Sequence, residues 1–131
     1  MMRFWVFVCA LFLLSNHAMA GCTSADLNGD WYVKYWLFKP PQVGECSVTL
    51  GKSRGPTGEC RNLTYDLEGK IFDGDLIVQK NCRFKAFAIM GNGQSVVMKG
   101  RLRGAGYASG KIKAINAGRI APGRFKMWLN Q

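Results

Sequence analysis

Short runs of two-residue alternation, cut by turn-forming residues, leave this chain few folds to choose from. In Lys99-Gly100-Arg101-Leu102-Arg103, in Lys111-Ile112-Lys113 and in Arg124-Phe125-Lys126-Met127-Trp128-Leu129, charge alternates with apolar or small residues. That is the period of a half-buried strand. The same pattern predicts strands at 31–38, 46–50, 62–68, 75–79, 83–90, 95–103, 107–115 and 124–130. Between them stand Pro40-Pro41, Gly55-Pro56, Asp73-Gly74, Gly91-Asn92-Gly93, Gly104-Ala105-Gly106 and Pro122-Gly123, all with turn chemistry. No window holds ten or more residues of helical period. Eight short antiparallel strands predict a small all-β domain, an eight-stranded barrel in preference to a compact two-sheet β-sandwich. Closure removes sheet edges, and short meander turns need no crossover helix.

Residues 1–20 stand apart from that pattern. Arg3 precedes an apolar run at 4–14, and Ala18-Met19-Ala20 is the small-x-small pattern of a signal-peptide cleavage site. The run is too short to span a bilayer, which takes roughly 20 residues. The expectation is a signal peptide at 1–20, cleavage before Gly21, and a secreted or periplasmic single domain at 21–131 with no transmembrane span. Loss of Cys9 leaves Cys22, Cys46, Cys60 and Cys82, an even set able to form two disulfides in an oxidising compartment. Three pairings are open; Cys22 with Cys82 and Cys46 with Cys60 is the one favoured. A lipid anchor at Cys22, after a lipoprotein-like cut, is the minor alternative and would leave three cysteines.

Charge is as polarised as hydropathy is periodic. Asp75 is the last acidic residue; from Leu76 onward there are eleven Lys and Arg, whereas 21–75 holds six basic and eight acidic residues. Such a chain presents a field to anionic partners. Strand register makes the statement positional: if Met98 and Leu102 point inward, Lys99, Arg101, Arg103, Lys111, Lys113, Arg124 and Lys126 share the outer face. The opposite register would put seven cations into a lumen wide enough for side chains or one small ligand, at a prohibitive desolvation cost. The expected partner is an anionic glycan, a lipid headgroup or an acidic protein. Nucleic acid is disfavoured by export and by the lack of any recognised binding motif. A solvated exterior that merely aids solubility is the plain alternative.

Aromatic residues offer a second candidate surface. Trp31, Val33, Tyr35 and Leu37 alternate with Tyr32, Lys34, Trp36 and Phe38, both sets heavy. The outward set is either an aromatic patch around Lys34 and Trp36, which Trp128 joins from the strand of Arg124 and Lys126, or part of a strand buried on both sides. Asp26-Leu27-Asn28-Gly29-Asp30 starts like a calcium loop but has Trp31 at the glycine position and Leu37 at the glutamate position, so it is read as a turn and no metal is expected. His17 is the only histidine and leaves with the signal peptide, and paired cysteines supply no thiolate. The chain is therefore expected to be no enzyme and to need no cofactor.

Leu27-Asn28-Gly29-Asp30-Trp31 resembles the Leu-x-Gly-x-Trp start of several small secreted barrels, among them bacterial periplasmic inhibitors of secreted metalloproteases. The likeness extends to Cys46-Ser47-Val48-Thr49-Leu50 and Cys60, about a third of the chain. It implies an eight-stranded barrel with an N-terminal trunk for an enzyme cleft, although only six residues would precede Leu27 here. Three functional expectations follow. First is a non-catalytic exported binding protein whose basic face engages an anionic envelope component or acidic protein; then an inhibitor of an exported hydrolase, and a structural envelope protein.

Overall fold

The computed structural model describes residues 22–51 and 55–130; the expected signal peptide lies outside them. The chain forms a closed antiparallel barrel in meander order. Its strands are β1 (Gly29–Phe38), β2 (Pro41–Leu50), β3 (Thr57–Asn62), β4 (Leu67–Val78), β5 (Arg83–Met90), β6 (Ser95–Gly104), β7 (Tyr107–Asn116) and β8 (Arg119–Leu129). β8 pairs back onto β1, from Trp31 opposite Leu129 to Leu37 opposite Gly123. The barrel is thus the expected fold, and no sandwich edge is left. Among the described residues no helix is long and apolar enough to cross a membrane.

Three local expectations are corrected. The strand expected at 62–68 is instead the end of β3, a turn and the start of β4. Asn62 Oδ1 accepts the backbone N–H groups of Thr64 and Tyr65 at 3.0 and 3.1 Å, and Asp66 takes a left-handed φ of 53°, so side-chain bonding closes the turn. The alternating Leu63 and Tyr65 imitate a strand there but are 45% and 54% exposed.

Asp73-Gly74, read as a turn, lies inside β4, where pairing with β5 shifts register between Ile71 and Asp73. The turn-forming residues are absorbed as an irregularity, and Phe72 is left 81% exposed. Pro122-Gly123 is likewise inside β8. Its missing N–H is tolerated because the β1–β8 ladder stops at Gly123, so Pro122 faces a partner strand on one side only. The real β7–β8 turn is Ala117-Gly118, both at positive φ (50° and 79°), as a two-residue hairpin requires.

Charged residues point out and the core is apolar, although Ile77, Phe87 and Ile120 also face outward. Trp31, Val33, Leu37, Phe84, Ile112, Phe125 and Met127 belong to one buried cluster. Phe84 and Phe125 meet edge-on at 6.2 Å. Gly100 lets them do so, because a Cβ there would lie 2.6 Å from Phe125 Cζ and 2.8 Å from Phe84 Cζ.

The barrel end that carries the N-terminal segment is closed. A 3-10 turn (Ser24–Leu27) brings Leu27 onto the core, and the fully buried Trp31 donates from Nε1 to the Leu27 carbonyl at 2.9 Å. Disulfides Cys22–Cys82 and Cys46–Cys60 form as favoured from sequence. The first ties that segment to the β4–β5 connection; the second joins residues directly opposed on β2 and β3.

Candidate anion-binding face

β5 to β8 and β1 are consecutive around the barrel, so their outward residues form one surface. Register aligns them in rows. Lys85 stands opposite Lys99, Lys99 opposite Lys111, Lys111 opposite Arg124, and Arg124 opposite Trp36. Four cations therefore cross four strands side by side, at the roughly 4.8 Å interval between strands. The adjacent row runs Arg83, Arg101, Ser109, Lys126, Lys34 and Glu45. A third places Tyr107, Trp128 and Tyr32 together, with Trp128 5.9 Å from the Tyr107 ring and 6.0 Å from the Tyr32 ring.

Of the seven residues expected on this face, Lys99, Arg101, Lys111, Arg124 and Lys126 fall in the two cationic rows. Arg103 lies where β6 and β7 change register, and its Nε donates to Ser109 Oγ at 3.3 Å. Lys113 sits apart, flanked by Val97 and Pro122. Sequence reasoning left Arg83 and Lys85 off the face. The signal was present, because Arg83-Phe84-Lys85-Ala86-Phe87 shows the same alternation as the later strands.

The aromatic expectations resolve in favour of an outward patch. Tyr32, Lys34 and Trp36 are half-buried on the outer surface, Phe38 is 50% exposed and Trp128 38% exposed. Lys34 Nζ lies 5.6 Å from the centre of the Trp36 ring, a cation–π contact. Because β1 closes onto β8, these groups border the cations. Trp36, Arg103, Ser109, Lys111, Arg124 and Lys126 line a surface depression of about 470 Å³.

Electrostatically the face is uncompensated. Among the described residues the ion pairs are Arg61–Asp66 at 2.7 Å and Lys70–Glu59 at 3.8 Å, both on the β3–β4 side. Glu45, the acid in the second row, accepts a hydrogen bond from the Tyr32 hydroxyl at 2.8 Å. That bond, helped by burial and by the Glu45 charge, raises the Tyr32 phenol above its ordinary pKa. Directly opposed like charges destabilise a sheet, so the Lys85–Arg124 row stands ready to gain from any anion laid across it. The carboxylates of the calcium-like segment are engaged locally: Asp26 Oδ2 accepts from the Thr23 N–H at 2.7 Å and Asp30 Oδ1 from the Thr49 hydroxyl at 2.7 Å.

No protein-family model matches the chain, and neither does any curated protein.

Proposed function

We propose that the protein is a non-catalytic, exported binding protein that holds a polyanion against its β5–β8 face. The ligand class is an anionic envelope component, an acidic glycan or an array of lipid headgroups, or the acidic surface of another protein. One observation carries the reading: Lys85, Lys99, Lys111 and Arg124 are directly opposed on four neighbouring strands, without a carboxylate partner among the described residues. A linear polyanion crossing the strands meets a cation at each step. Trp36 and Trp128 at the border supply flat apolar surface for sugar rings or for the apolar part of a protein epitope.

Heparin-matrix retention tests it. At about 0.15 M salt the wild-type chain is retained and the charge-reversal variant Arg101→Glu/Lys111→Glu/Arg124→Glu flows through, because polyanion affinity falls steeply with each lost contact. Equal retention of the two overturns the reading. A stoichiometric partner complex that survives high salt and charge reversal would favour the hydrolase-inhibitor alternative instead.

A further inference from the structure

The barrel interior is filled at one end only. Towards the closed end Trp31, Leu27, Ala108 and Phe125 are almost wholly buried. Towards the other end the walls enclose a cavity of about 340 Å³. Its origin lies in the register: the lining residues Ala88, Val96 and Ala114 stand opposite one another across β5 to β7. Small side chains along one row leave a space that larger ones would close.

The space is a slot rather than a chamber. Gln42, Cys46, Val48 and Leu50 all line it from the single strand β2. Eight residue steps correspond to about 26 Å along a strand, a long path for so small a volume. A volume near 340 Å³ falls within the roughly 300–1,000 Å³ of small-molecule sites. It is also about twice the ~150 Å³ engineered apolar cavity that stays dry and takes up benzene.

The chemistry changes along that path. Val33, Leu37, Val48, Leu76 and Met98 make the wall apolar, whereas Gln42, Asn62, Asn92, Gln94 and Asn116 bring amides to the open end, with Glu68 beside them. Two of these already bond, Asn62 Nδ2 donating to Gln42 Oε1 at 2.8 Å. Tyr65 and Leu67 line the cavity yet are 54% and 62% exposed, which marks the entrance on the β3–β4 side.

We propose that this slot binds one unbranched hydrocarbon chain of a single-chain amphiphile, with an uncharged hydrogen-bonding head left among the five amides. A long apolar slot excludes compact polar ligands, which would forfeit their hydrogen bonds inside it. The amides offer donors and acceptors, and the Glu68 carboxylate that lines the cavity beside them disfavours an anionic head. The site is separate from the cationic rows, which face outward on the same strands, so the two proposals stand or fall independently.

The probe is 1-monododecanoylglycerol, titrated as monomer into the oxidised chain carrying 13C-methyl methionine. Met90, Met98 and Met127 line the slot; their methyl resonances shift and saturate at one amphiphile per chain. Ala114→Phe places a ring in the slot and lowers affinity tenfold or more, while the Arg101→Glu/Lys111→Glu/Arg124→Glu chain binds as wild type. Absence of saturable shifts at these methionines in the wild-type chain overturns the proposal. The titration of the wild-type chain decides the matter whether or not the phenylalanine variant folds.

Discussion

Reversing one charge at the centre of the cationic row should make the barrel more stable while weakening its hold on polyanions. Lys111 lies between Lys99 on β6 and Arg124 on β7's other neighbour, β8. Directly opposed side chains in a sheet have Cβ atoms about 5 Å apart, and like charges there cost a few tenths of a kcal/mol per pair. Lys111→Glu turns two repulsions into two attractions. Allowing for side chains that splay into water, the net gain is about 1 kcal/mol at low ionic strength. For a domain of this size that raises Tm by about 4 °C. Urea unfolding at about 0.02 M and about 1 M salt is the assay, since the screening length falls to about 3 Å at the higher concentration and most of the gain should vanish. A variant that is less stable than wild type, or whose gain is the same at both salt concentrations, refutes the reasoning.

Other consequences concern the scaffold. Removing Cys22–Cys82 by paired serine substitution should cost about 4 kcal/mol and removing Cys46–Cys60 about 3 kcal/mol in the chain-entropy view, because the bridges span 60 and 14 residues; urea midpoints give the order. Burial raises the Tyr35 phenol above its ordinary 10.0, so the folded state keeps a proton that the unfolded chain releases. Stability is therefore intact below about pH 10 and falls as pH rises through the raised value. Tyr35→Phe should flatten that alkaline loss, and an unchanged pH slope would count against it. Gly44→Ala should cost about 1–3 kcal/mol by overpacking, because a Cβ there would run into the Tyr35 ring; thermal melts check it.

Much of this fold is legible in the sequence because inward and outward residues differ in kind. β5, β6 and β7 read correctly from alternation alone, with cations against small or apolar residues at 99–103 on β6 and at 111–113 on β7. Legibility fails where chemistry is shared between strand and turn. Pro122-Gly123 has the composition of a turn, yet Pro122 is tolerated in β8 because one of its sides has no ladder to supply. Residues 41–45 contain few strand-forming side chains but pair with the aromatic half of β1, from Lys34 opposite Glu45 to Phe38 opposite Pro41; long-range pairing overrides local preference there.

The cationic site was legible as a face but not as a row. Alternation tells which way Lys99 and Lys111 point, but only interstrand register puts them opposite each other and brings Lys85 alongside. The lumen was legible only as a possibility of eight-strand closure. Nothing local marks Ala88 and Ala114 as residues that meet across Val96.

In the proposed function the ordered rows on β5–β8, rather than net charge, hold the polyanion. Heparin affinity measured as a function of salt tests this directly with two triple variants of equal charge. Lys99→Gln/Lys111→Gln/Arg124→Gln strips the row, whereas Lys39→Gln/Arg61→Gln/Lys70→Gln removes cations from the β1–β2 turn and the β3–β4 side. Each phosphate-like contact contributes about 0.7 to 0.9 to the slope of log affinity against log salt. The row variant should lose about 2 to 3 from that slope while the second variant keeps the wild-type value. Equal losses in the two would contradict the account and leave only bulk charge.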